Sequence, residues 1–242
     1  MAIVCPVSKK SRQPTLDFTR GLSVFLMILA HALFFFHDGS SPWLNALQRT
    51  GNTLCFVMFL FVSGAAMYYA YLAKPQSAGQ IAKRVAKRVW QIASGYYLLA
   101  ILASVRDLDF FDLPGLASSL GRIFLFLDLP GFTEFLVPFI FYTLSMLFLR
   151  GLYEKSSRSF WLTLELSYAV YLLAYVLYPV SLGPGLREIK ALFVGEAGLN
   201  RFPVLSYAPV LLFGMYWGCY LKEQESEKKQ DLAALGLSLI HI

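Results

Sequence analysis

Three side chains near the N-terminus carry the most specific chemical possibility in this sequence. Leu16-Asp17-Phe18-Thr19-Arg20-Gly21-Leu22 opens an apolar run, and His31 follows eleven residues after Arg20. At about 100° per residue, eleven helical steps return to within about 20° of the start. Asp17 falls about 40° beyond His31 in the same projection. A helix therefore places Asp17, Arg20 and His31 on one face, with Val24 and Met27 between them. The rise sets His31 roughly 16 Å above Arg20 along the axis. Imidazole acts as a general base or a nucleophile near neutral pH. It also bridges packed helices through hydrogen bonds, and on the residues alone both readings of His31 stand. Asp17 suits the positive end of a helix dipole, and Arg20 suits a topology anchor.

Other groups have chemistry of a different kind. Lys83-Arg84-Val85-Ala86-Lys87-Arg88 holds two basic pairs four residues apart, so they stack on one helical face. Such cations set membrane topology, attract anionic lipid at ~1 kcal/mol each, or dock the phosphates of a nucleotide-bearing donor. Phe59-Leu60-Phe61-Val62-Ser63-Gly64-Ala65-Ala66 sets small residues within an apolar run, a pattern of close helix packing. Glu134 lies on the outer side, toward which His31 points, and Glu165 sits shallowly near the inner face. Cys5, Cys55 and Cys219 show neither a metal-ligand spacing nor a disulfide framework, so no metal is expected.

The elements that position these groups are apolar helices. The chain is 57% hydrophobic and only 15% charged, against about 25% charged in soluble domains. Its apolar residues come in blocks of roughly 18–20, long enough to cross a ~30 Å hydrocarbon core. The expected fold is all-α, a polytopic transmembrane helix bundle. Six full spans are expected at 16–36, 52–73, 89–105, 132–149, 160–180 and 202–221, with a truncated seventh after 232. Segment 113–127 is apolar but short, and is broken by Pro114-Gly115 and Arg122, so a re-entrant or interfacial helix is expected there. Pro138 and Pro209 fall inside spans, where neighbouring groups re-satisfy the freed carbonyl. A signal peptide is the rival for the first span, but the turn His37-Asp38-Gly39-Ser40-Ser41-Pro42 has no small-x-small cleavage site. His31 then lies near or beyond mid-membrane, where an ionisable group usually faces a bundle interior or a wet cavity.

Charge sets the orientation. Segments 1–20, 74–88, 150–158 and 222–231 hold 15 of the 21 basic residues. The alternate segments hold the other 6, with 7 of the 15 acidic residues. The positive-inside rule places the N-terminus in the cytoplasm. The net charge of +6 thus reads as topology and contact with membrane lipids, not as nucleic-acid binding. The apolar segment from Leu232 stops after eleven residues, and residues 237–242 resemble the translation of a transposon adaptor from a sequencing library. The expectation is one domain over 1–242, truncated at its C-terminus, and His241 is set aside.

At these residues the sequence resembles the membrane-bound acyltransferase 3 superfamily, grouped with the relatives of heparan-α-glucosaminide N-acetyltransferase. Its pattern of a basic N-terminus, Leu-Asp-x-x-Arg-Gly-Leu, an apolar run and a histidine stands here as Leu16–Leu22 and His31. An aromatic stretch ending in Ser-Gly is similar to Phe59–Gly64, and a cytoplasmic basic motif is similar to Lys83-Arg84 and Lys87-Arg88. Phe202-Pro203-Val204-Leu205 with Phe213-Gly214-Met215 and Gly218 resembles a later helix. Two departures leave the subfamily open. A proline common after the basic motif is missing from Val89-Trp90-Gln91-Ile92, and Ser206-Tyr207 replaces a Pro-Trp pair.

The resemblance implies transfer of an acyl group, an acetyl group foremost, from cytoplasmic acyl-CoA (acetyl-CoA) to a glycan or similar carbohydrate acceptor across the membrane. It implies that His31 is catalytic, with Asp17 and Arg20 holding the inner end of its face. Lys83, Arg84, Lys87 and Arg88 then hold the donor's phosphates, and Glu134 and Ser63 are substrate-side candidates. A multi-pass protein of a bacterial inner membrane is the matching location. The rival is a non-enzymatic transporter of small solutes with His31 as proton relay. Many transporters carry internal repeats with broken helices in matching positions, and the sequence shows no such repeat.

Overall fold

The computed structural model describes residues 14–37, 39–105, 113–131, 133–183, 185–197, 199 and 202–240. The basic segment 1–13 with Cys5, segment 106–112 and residues 241–242, which end the 237–242 stretch singled out above, lie outside the described residues. The chain divides into two compact units, Met1–Val62 and Ser63–Ile242.

The first unit is built on α1 (Pro14–Phe36) and the start of α2 (Pro42–Met67). Both open on proline, whose fixed φ and missing N–H suit a first helical position. On α1 only Leu16, Ser23 and Ala30 are buried. Their seven-residue spacing makes one narrow stripe, and Ala30 meets Gly51 of α2 along it. Phe18, Phe25, Ile28, Phe34, Phe35 and Phe36 are exposed. A helix apolar on nearly all sides is a membrane helix or a deeply buried one, and only 11% of the apolar window of α1 is buried. The Ser23 hydroxyl donates to Thr19 O at 2.7 Å, which satisfies it locally.

In the second unit, α2 ends in a π-helical turn, Tyr68–Leu72, closed by Ala73 N–H donating to Tyr68 O at 2.9 Å. Helix α3 (Ala78–Ser104) begins with a reciprocal cap: the Ser77 hydroxyl accepts from Gln80 N–H, and Gln80 accepts from Ser77 N–H. Then follow α4 (Leu113–Phe124), α5 (Leu136–Ser145), α6 (Arg150–Ser157), α7 (Phe160–Leu177), α8 (Leu186–Phe193) and α9 (Val204–Ile240). Helix α7 packs on α9, α3 on α5, and α6 on α9. The turn of α2 that carries Gly64 also crosses α9 closely. A Cβ at Gly64 would lie 2.3 Å from Leu211 O, and one at Gly218 would lie 2.9 Å from Ala65 O. The small-residue segment of α2 therefore serves close backbone approach, as its composition indicated.

Among the described residues, four helices are long and apolar enough to cross a membrane: α1, α2 with its π turn, α7, and α9 over Val204–Glu225. Three of the expected boundaries change. The expected fourth span, 132–149, is divided into α5 and α6, which bend by 95°. Helix α5 alone, at ten residues, spans only about 15 Å, so a fifth crossing exists only if the bent pair counts as one. The expected third span lies on α3, but the apolar part after Arg88 is about 24 Å long by helical rise, short of a ~30 Å core. Helix α9 runs unbroken to Ile240, so no turn separates the sixth expected span from the start of a seventh. Pro138 stands in the first turn of α5, where no intrahelical N–H is needed, whereas Pro209 stands inside α9. Segment 113–127 forms the twelve-residue α4, too short to span.

Candidate active site

Helix α1 is continuous through Asp17, Arg20 and His31, so the spacing of these residues becomes a shared face. That face lies about 80° around the helix from the Leu16–Ser23–Ala30 stripe. Asp17 and Arg20 form an ion pair at 3.6 Å, with both side chains roughly half exposed. A pair that exposed contributes little to stability, so its effect is on the orientation of the two groups. His31 is half-buried on the same face, three helical turns further along.

The basic face of α3 is solvent-accessible. Lys83, Arg84, Lys87 and Arg88 are exposed, while Ile81 before them and Val85 between the pairs are buried. Burial of the apolar positions turns the two basic pairs outward together. Arg84 also reaches back, and its Nη1 donates to Ala70 O at 3.2 Å in the π turn. Arg150 Nη1 donates to Gln76 O at 3.2 Å, and Lys222 Nζ donates to Ala73 O. Cations from α3, α6 and α9 thus meet at the C-terminal end of α2, where backbone carbonyls point outward. Sequence reasoning counted Arg150 and Lys222 only as topology charges. Their convergence depends on tertiary packing and has no local signal.

At the other end of α7 the charges are paired. Lys190, buried, donates to Tyr178 O at 2.6 Å and to Glu196 Oε2 at 2.7 Å. Arg187 lies 3.4 Å from the same carboxylate, and Arg122 lies 3.9 Å from Glu188. The hydrogen bond from Lys190, with Arg187 adding its charge, holds the Glu196 carboxyl below the usual carboxylate range. Glu134 is half-buried in the turn before α5. Near it, Val137 of α5 shares a core with Leu192 of α8, together with Tyr96 and Ile123. Ser63 is half-buried on α2 beside the Gly64 crossing. Glu165 is exposed on α7.

A cavity of about 460 Å³ lies among α5, α6, α7 and α9, with walls that include Phe141, Phe148, Leu152, Leu205 and Leu211. Its hydroxyls are engaged. Tyr142 OH donates to Val204 O at 2.6 Å, and Ser145 Oγ and Tyr153 OH share a hydrogen bond at 2.8 Å. It can accept an apolar group but offers no free catalytic one. No group of three or more His, Cys, Asp or Glu side chains suited to a metal ion occurs among the described residues.

No curated protein and no solved structure matches this chain significantly. The first-helix motif, the basic motif and the apolar helices nevertheless fall within one continuous family match. Residues 13–242 fit the acyltransferase domain of the acyltransferase 3 family, and the chain belongs to that family.

Proposed function

We propose that this acyltransferase moves an acyl group, an acetyl group foremost, from acyl-CoA on the cytoplasmic side to a hydroxyl or amine of a glycan on the other side. The observation that carries this reading is the single face of α1 that presents Asp17, Arg20 and His31 along a membrane-length helix. Family membership favours an enzyme over the transporter reading. The count of basic residues supports a cytoplasmic N-terminus and a cytoplasmic basic face on α3.

In this reading His31 takes the acceptor's proton as the acceptor oxygen or nitrogen attacks the thioester carbonyl. The carbonyl–sulfur bond then breaks, and the departing thiolate recovers the proton from the imidazolium. The ion pair of Asp17 and Arg20 fixes the inner end of the face. Lys83, Arg84, Lys87 and Arg88 hold the donor's phosphates through charge-assisted hydrogen bonds. Glu134 and Ser63 contact the acceptor side.

The test is transfer in sealed inside-out membrane vesicles that contain the protein. Labelled acetyl-CoA is added outside and a glycan acceptor is enclosed. Label on the enclosed glycan is the expected result. Label confined to an acceptor placed on the same side as the donor contradicts transfer across the membrane.

A further inference from the structure

We infer that donor binding extends beyond α3 to a second station at the end of α2, where Arg150 of α6, Gln76 and Tyr69 hold a phosphorylated sugar of the donor, with Lys222 of α9 adding charge. This rests on the nucleotide-donor reading above and adds residues which that reading did not include.

The first support is an excess of donors over the needs of the helix end. Cations near helix C-termini satisfy carbonyls, which could explain each contact singly. Yet Ala70 O already accepts from Gln76 Nε2 at 3.0 Å, so Arg84 makes a second bond to a carbonyl that was satisfied. A guanidinium has five N–H donors, and Arg150 places only Nη1 on Gln76 O.

The second support is a set of unsatisfied atoms on adjoining segments. Buried polar atoms in native folds nearly all have partners, and exceptions point to strain, function or a ligand. Arg150 Nε, Gln76 Oε1 and Tyr69 OH are buried and have no hydrogen-bond partner among the described residues. All three belong to the end of α2 and to the helix that packs on it. They form a mixed set of a cationic donor, a hydroxyl and an amide acceptor. A sugar phosphate answers that set, because it offers acceptor oxygens and donor hydroxyls in adjacent positions. An anion without a hydroxyl satisfies the Arg150 and Tyr69 donors but leaves Gln76 Oε1 unmet.

The third support is charge. Segments 73–90, 150–158 and 222–225 hold nine Lys and Arg against three Glu. One of those acids, Glu154, is engaged by Arg158 at 2.7 Å. A local surplus of one sign concentrates counter-ions and phosphorylated ligands. The turn over the station is open, with Lys74, Pro75 and Ser77 exposed.

The test is calorimetric binding of coenzyme A and of inorganic pyrophosphate to the full chain in lipid nanodiscs. Arg150→Gln is expected to weaken both by about tenfold, the loss of one charge-assisted contact. Arg150→Lys should recover part of the affinity by restoring charge without the planar fork. Gln76→Glu, which keeps the size and adds a repelling charge, should weaken both as well, and it serves if Arg150→Gln does not fold. Lys190→Met should leave both affinities unchanged. Coenzyme A binding within twofold of the parent in Arg150→Gln and Gln76→Glu overturns this inference and leaves the α3 donor site standing. Pyrophosphate binding that depends on Arg150, without coenzyme A binding by the parent, keeps the anion station and removes the donor reading. Failure of the parent to bind either probe removes both.

Discussion

At one end of α7, where α2, α6 and α9 meet, Arg84, Arg150 and Lys222 donate to backbone carbonyls. At its other end, about 27 Å along the helix by rise, Arg187 and Lys190 share the Glu196 carboxylate, and Arg122 faces Glu188. The two arrangements differ in what they leave over. A carboxylate cancels a cation's charge, so the Lys190 cluster closes on itself and fastens α8 to the end of α7. A carbonyl supplies only a partial charge, so the α2 end keeps a positive field and spare donors. The same residue types therefore serve cohesion at one end, and at the other they stay available for the anionic donor proposed above.

The harshest way to break this comparison is to break the frame that holds both ends. Gly64→Val places side-chain carbon where Leu211 O lies 2.3 Å from the Cβ position. It is expected to cost ~3 kcal/mol or more, or to prevent folding, as read from the thermal midpoint in detergent. Next in size is neutralisation of Lys83, Arg84, Lys87 and Arg88 to Gln. That change should weaken coenzyme A by about 100-fold, on the order of 1 kcal/mol per cation or somewhat less, with little loss of stability. Unchanged affinity leaves these residues a topology role only.

Lys190→Met should show the reverse. It should lose ~2 kcal/mol of unfolding free energy through two broken charge-assisted hydrogen bonds, while coenzyme A affinity stays at the parent value. Smallest is the pH effect of Glu196. Its folded carboxyl titrates below the unfolded value, so the unfolded chain takes up the proton first as pH falls. The stabilisation is complete above the unfolded carboxylate value of about 4.3 and is lost as pH drops through the lower folded value. Glu196→Gln should flatten the acid limb of a stability–pH curve, and superimposable limbs would show that the pairing contributes nothing.

The sequence made the apolar helices, the co-facial Asp17, Arg20 and His31, and the outward basic pairs of α3 legible, because each rests on helical period and composition. The Gly64 crossing was legible as a packing tendency, while its partner surface on α9 was not. The break at 146–149 has no sequence signal because the run from Phe135 to Leu149 carries no charged residue, and overall apolarity does not report a 95° bend. The length of α3 misled for a related reason: its helix begins at Ala78, and eleven of its residues precede the apolar part. Arg150, Lys222 and Lys190 gave no local signal, since their partners lie on other helices or across a loop.

The central claim is that the α1 face performs acyl transfer through His31. Its most direct measurement is turnover of acetyl-CoA onto a glycan by His31→Gln protein in membranes, at matched expression and with coenzyme A affinity measured alongside. The account predicts loss of turnover with donor affinity retained, because glutamine keeps a hydrogen-bonding amide but cannot carry a proton near neutral pH. Turnover at the parent rate would contradict it and return His31 to a helix-bridging role.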